Sequence, residues 1–212
     1  MGWWAMDGRR MSSWARSIRS LLLRAFAITL VVSPGASAAQ SSVAVAETPV
    51  EFISVLGNRG LEVMRSAGSF SVRVTYFRQM LRQDFDLPGM CRFVLGRYWR
   101  IASHHQRREF RHLFEDNLLR FYGTRLSQYS GEGFLVTGSR PDSAGLVVTS
   151  QIVRSQGSPV ELDWRLSIRN GFYKVSDVVV DGVSMAVTKR SEFAAIIQRN
   201  GGQIEGLLAT IR

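Results

Sequence analysis

A single cysteine, Cys91, stands among 212 residues, so no intramolecular disulfide can form. Apolar runs are short: the clearest, Ala25 to Val32, falls well below the ~20 residues that span a bilayer, and Pro34-Gly35 follows it. No phosphate-binding glycine loop is present. Ser, His and Asp occur only as scattered residues, with no histidine close to Cys91 in sequence. A nucleophilic or nucleotide-dependent enzyme has little support, and no cofactor is expected. Acidic residues are also scarce, 17 Asp and Glu against 27 Lys and Arg, for a formal net charge of +10. About +6 of this lies beyond the first 38 residues and looks spread along the chain. Without a concentrated basic segment or a known motif, nucleic acid is not the expected partner. A solvated basic surface, an anionic membrane or an acidic protein all fit the charge.

What is present divides into a leader, a tail and one domain. Residues 1–38 combine Arg9, Arg10, Arg16, Arg19 and Arg24 with the short apolar run and the small-residue cleavage signal Ala36-Ser37-Ala38. That is the pattern of a cleavable secretory signal peptide. Residues 39–47 are small and polar, a flexible tail, and residues 48–212 are expected to form a single domain. The 174 residues left after cleavage can bury about 70% of the unfolded chain's surface.

Within the domain, Thr48-Pro49 is an N-cap with proline at the first helical position. Val50, Ile53, Leu56, Leu61 and Met64 continue one face of a helix that Gly57 and Gly60 weaken. From Phe70 to Gln83 the pattern is double. Phe70, Val72, Val74 and Tyr76 alternate like a strand, whereas Phe77, Met80 and Leu81 recur like a helix, which the polar end Arg82-Gln83-Asp84 favours. Asp84 and Asp86 precede the next helix and suit capping better than acid–base chemistry. Met90, Phe93, Val94 and Ile101 then fall at helical spacing, with Tyr98-Trp99 adding bulk. Ser103 and Gln106 form a capping box. The helix behind it is the clearest in the chain, with Phe110, Leu113, Phe114, Leu118, Phe121 and Tyr122 on one apolar face. His105, Glu109 and His112 on its other side could be imagined as metal ligands. Arg108 and Asp116 share that face, however, so charge pairing accounts for the set and no metal is expected.

After Gly123 the period changes. Strands are predicted at 130–138, 145–154, 160–169 and 172–180, separated by Pro141-Asp142, by Gln156 to Pro159, and by the Asn170-Gly171 hairpin signal. Asp181-Gly182 ends the last strand, and Ser191-Glu192-Phe193 opens a helical pattern with Ile196 and Ile197 that Gly201-Gly202 closes. Ile204, Leu207, Leu208 and Ile211 extend a final helical face. The expected class is α+β: N-terminal helices packed on a twisted antiparallel sheet of about four strands, with C-terminal helices, enclosing an apolar cavity.

Several separated stretches carry a family resemblance. Phe85-Asp86, Val94-Leu95-Gly96-Arg97-Tyr98-Trp99, Phe110 to Phe114, Tyr122, Lys174 to Val178, Asp181 to Ser184, Arg190 and Phe193 resemble, in this order, the MlaC family, also called toluene-tolerance Ttg2D proteins. The resemblance covers nearly all of the chain beyond the leader. Tyr173 stands where the family usually has tryptophan, and Thr188-Lys189 replaces a common Asn-Tyr before Arg190. With Ser184-Met185-Ala186 and Ser191-Glu192-Phe193, this ending is similar to the hopanoid-associated branch called HpnM.

The resemblance implies a soluble periplasmic carrier that holds lipid in a cavity between helices and sheet. It would dock transiently with inner-membrane transporter and outer-membrane lipid-transfer complexes. Its cargo would be a phospholipid or a hopanoid. The expected cavity lining is Phe93, Phe110, Phe114, Leu118, Trp164, Leu166, Val175 and Val183, residue types that also build ordinary cores. Arg97 and Arg190 are candidates for a head group or a neighbouring carboxylate, with Asp177 a possible partner for Arg190. Two rival classes stand beside the carrier. One is an enzyme using His105, Glu109, Asp84 or Asp177; the other is an interaction module with a filled core.

Overall fold

The computed structural model describes residues 48–66, 69–126, 131–142 and 145–212, without the side chains of 122–126. The expected leader and tail, residue Ser130 and the Tyr122 side chain lie outside them. Among the described residues there are seven helices and five strands: α1 (Pro49–Arg65), α2 (Phe70–Asp84), α3 (Leu87–Leu95), α4 (Tyr98–Ile101), α5 (His104–Leu126), β1 (Gly133–Asp142), β2 (Gly145–Val153), β3 (Val160–Arg169), β4 (Phe172–Val180), β5 (Val183–Ser184), α6 (Met185–Arg199) and α7 (Ile204–Ile211). The strands form one open antiparallel sheet in the order β1-β2-β3-β4-β5, so the class is α+β. None of the described helices is long and apolar enough to cross a membrane.

Local signals account for most element ends. Thr48 accepts from the Glu51 amide at 3.1 Å, and Ser103 and Gln106 satisfy each other's backbone amides at 3.2 and 2.7 Å. Asn170 (φ 51°) and Gly171 (φ 84°) make the β3–β4 hairpin turn that their sequence demands.

Three boundaries differ from expectation. The helix over Met90 to Ile101 is broken, because Gly96 takes φ 52° and ends α3, leaving Ile101 exposed on a separate one-turn helix. Strand β1 runs on through Pro141-Asp142; β1 is an edge strand, where a proline's missing N–H can face away from the ladder. Helix α6 starts at Met185 rather than Ser191, since Ser184 accepts from the Val187 amide at 3.1 Å and donates to Asp177 at 2.5 Å.

Packing produces two apolar clusters. The helical cluster is built by α3, α5, α6 and α7 around Phe110 and Phe114, whose rings stack at 5.6 Å with Phe193 edge-on to both at 5.8 and 6.2 Å. The sheet cluster lies where α1 crosses β1 and β2, and joins Phe52, Ile53 and Leu56 to Val148, Leu166 and Val175. Gly57 explains the close crossing. A Cβ there would overlap the Phe134 ring, which itself meets Trp164 edge-on at 6.2 Å. Phe85 packs against both clusters, and the Asp86 amide donates to the Val175 carbonyl at 2.9 Å, pinning the α2–α3 turn to β4.

Candidate functional site

Helix α2 is attached differently from its neighbours. Among its residues only Leu81 is fully buried; Val74 and Phe77 lean on the helical cluster, Met80 leans on the sheet cluster, and Phe70, Val72 and Tyr76 are exposed. Charge holds it down instead. Arg78 reaches Glu115 at 2.7 Å and Asp116 at 2.8 Å, Arg82 reaches Glu115 at 3.0 Å, and Asp84 pairs with Arg59 of α1. Glu115 is buried on α5, and two guanidiniums from α2 supply the hydrogen bonds and opposite charge that its burial away from water calls for. Hydrogen bonding to Asp116 raises the Arg78 pKa further above its ordinary value, against the cost of burial. Burial pushes the Asp84 carboxyl up, outweighing Arg59.

Beneath the N-terminal half of α2 runs a groove of about 310 Å³ lined by Phe70, Val74, Leu113, Leu119, Arg78, Asp116, Arg120 and Arg212. Its floor is the outer surface of the helical cluster, and its rim mixes Arg78, Arg120 and Arg212 with Asp116; Arg78 pairs with Asp116 and Glu115, and Arg212 with Glu109. That combination can shelter apolar chain. The volume sits at the lower end of the roughly 300–1,000 Å³ typical of small-molecule sites.

The structure divides the residues expected to line a cavity. Phe110, Phe114 and Leu118 are buried in the helical cluster, while Trp164, Leu166 and Val175 belong to the sheet cluster. Phe93 and Val183 belong to neither and are 41% and 54% exposed. Arg190 does not pair with Asp177; it lies over the Phe93 ring at 5.0 Å and against Gly96. Asp177 is held by Arg165 at 3.0 Å, Ser184 and the Ala186 amide. Arg97 stacks on Tyr98 at 4.9 Å, so the arginines bordering the groove are Arg78, Arg120 and Arg212 instead. None of the groove residues was among the expected lining; Phe70, Val74, Leu113 and Asp116 stood in the sequence only as members of helix or strand patterns, and the groove needed the tertiary placement of a helix whose pattern was double.

The groups a rival enzyme would use are dispersed. Asp84 pairs with Arg59, Asp86 caps α3 and binds Arg169 at 2.6 Å, and Glu109 binds Arg212. His112 faces Asp116 at 3.5 Å, and no group of three His, Cys, Asp or Glu among the described residues could hold a metal ion. Burial pushes the Cys91 thiol up to about 12, which keeps it protonated and unreactive.

A helix-covered antiparallel sheet with an apolar groove under a charge-fastened helix makes this an α+β domain of the helix-on-open-sheet class. More specifically, the chain belongs to the MlaC family: the family pattern described as "MlaC protein" matches residues 59–212. The toluene tolerance protein ttg2D of Pseudomonas putida is 29% identical over 126 residues, 57% of each chain. The intermembrane phospholipid transport system binding protein MlaC of Haemophilus influenzae is 27% identical over 135 residues, 59% of this chain and 63% of that one. The matches thus span somewhat over half the length of these curated relatives. A phospholipid-binding protein from Ralstonia solanacearum, solved in complex with a phospholipid, shares the fold with a TM-score of 0.67 at 22% identity, over 78% of this chain and 94% of that one.

Proposed function

We propose that this chain is a non-catalytic periplasmic lipid carrier that shields phospholipid acyl chains under α2 and passes the lipid between membrane-bound complexes. The observation that carries the proposal is the attachment of α2: a weakly buried helix, fastened by ion pairs, over an apolar groove. Swinging α2 away from α5 would join the groove to the half-buried sheet cluster, giving a continuous apolar slot between helices and sheet. Trp164, Leu166 and Val175 would line its sheet side, and Arg120 and Arg212 would stand where a phosphate emerges, Arg212 exchanging its Glu109 partner for it. Each methylene taken from water contributes about 0.8 kcal/mol, and return of that surface to a membrane makes the gain reversible. Membership in the MlaC family and the relatives' names support this reading.

The HpnM-like ending, Thr188-Lys189 before Arg190, favours a second cargo, a hopanoid. Native mass spectrometry with lipid extraction of protein purified from a hopanoid-producing host separates the two. One phospholipid per chain supports the first reading, and one triterpenoid per chain supports the second. Lipid-free protein that also fails to take up labelled lipid of either class would sink both.

A further inference from the structure

The net charge of the domain is not evenly spread, contrary to the expectation from the chain as a whole. Residues 87–114 carry six arginines, Arg92, Arg97, Arg100, Arg107, Arg108 and Arg111, against one carboxylate, Glu109, which Arg212 already engages. None of the six forms an ion pair among the described residues. Elsewhere Arg59, Arg78, Arg82, Arg140, Arg165 and Arg169 each meet a carboxylate, and the arginines that do not, such as Arg154 and Arg199, are scattered singly along the chain.

Four of them, Arg97, Arg100, Arg107 and Arg111, border the knee where α3, α4 and α5 meet, and the carboxylate that comes near from another element, Glu205 of α7, is engaged by Gln106. Arg107 donates to the Trp99 and Arg100 carbonyls at 2.9 and 3.1 Å, and its guanidinium lies over the Trp99 ring at 5.4 Å. Arg111 follows one turn on, donating to the Arg107 carbonyl at 3.3 Å, and Arg97 stacks on Tyr98. Between Arg97, Arg100 and Arg107, α4 presents Ile101, which is 70% exposed and the barest large apolar side chain among the described residues.

We infer that this knee is a docking surface for an anionic lipid bilayer. The guanidiniums spread over three elements make a field rather than a pocket, which suits a continuous anionic surface better than a single acidic motif. A bare isoleucine beside a half-buried tryptophan adds the apolar contact that partitions into the head-group region. The inference does not depend on the cargo, because docking is read on vesicles and carriage on bound lipid.

Co-sedimentation of the purified chain with phosphatidylcholine vesicles, and with vesicles containing phosphatidylglycerol, tests it. Binding to the anionic vesicles alone is expected, with release at about 1 M salt, where the screening length shrinks to about 3 Å. Replacing Arg100→Gln together with Arg111→Gln lowers partitioning about 25-fold, at about fivefold per basic group near an anionic surface. Ile101→Ser weakens binding without changing its salt dependence. The pair Arg154→Gln and Arg199→Gln changes net charge equally but lies elsewhere, and it leaves binding near the parent value. Circular dichroism of the exposed-site variants checks the fold. Equal loss in the control pair, equal binding to both vesicle types, or binding to polyglutamate while anionic vesicles are ignored would overturn the inference.

Discussion

The two apolar clusters of this domain use the same residue types to opposite ends. Among the described residues the helical cluster has nineteen buried members and six partly buried ones, so it is a closed core. The sheet cluster has six buried members and eight partly buried ones, several of them large: Met80, Phe85, Phe134, Trp164 and Tyr173. A core bordered by half-exposed aromatics gains less from burial than one closed on itself. It also keeps apolar surface available for a guest. Stability in this domain is therefore expected from α3, α5, α6 and α7, and capacity from the seam between α2, α1 and the sheet.

Substitutions can break that contrast. Phe110→Ala removes the ring on which Phe114 and Phe193 both pack, and about 3–5 kcal/mol of stability should be lost in denaturant titration while lipid content of the folded fraction stays unchanged. Trp164→Ala is expected to do the reverse. Its stability cost is smaller, because the side chain is half-buried, but retained lipid should fall; equal lipid retention would remove Trp164 from the slot. Introducing a methyl at Gly57→Ala pushes on the Phe134 ring and should cost about 1–3 kcal/mol, a loss that disappears when the same change is made in a Phe134→Ala background.

Much of this architecture is legible in the sequence, and the legible parts are local. The Thr48 cap, the Ser103–Gln106 box, the Asn170-Gly171 turn and the apolar face of α5 each depend on residues within a turn or two of one another. The break at Gly96 and the start of α6 at Ser184 were also written locally, in a glycine with positive φ and a serine cap, but neighbouring apolar periodicity masked them. Pro141 in β1 could not be placed without knowing that β1 is an edge. The candidate site was least legible. Hydrophobic spacing marks Phe110, Phe114, Leu118, Trp164, Leu166 and Val175 as interior, but it carries no information on which of two clusters each joins. Nor could the double pattern of α2 reveal that it is held down by Glu115.

Two smaller effects sharpen the contrast at α2. Glu115→Gln removes the charge that holds Arg78 and Arg82 and should loosen α2 by about 1–2 kcal/mol, since the more exposed Arg82 is partly screened. Hydrogen exchange should quicken in 70–84 and not in 87–95, and labelled lipid should enter faster. The Asp84 carboxyl, raised by burial above its ordinary 3.8, takes up a proton in the folded state before the unfolded one. Its contribution to stability therefore grows as the pH falls through the range just above 3.8 and is lost as the pH rises past the folded value. Asp84→Asn should flatten that slope by less than about 1 kcal/mol, read from Tm against pH.

The most direct measurement is the lipid content of the intact, natively purified chain by mass spectrometry before and after delipidation. The carrier account predicts one lipid per chain, loss of that mass on delipidation, and its recovery on incubation with lipid vesicles, with Trp164→Ala depleted. A chain that is lipid-free as isolated and stays so with vesicles would contradict it.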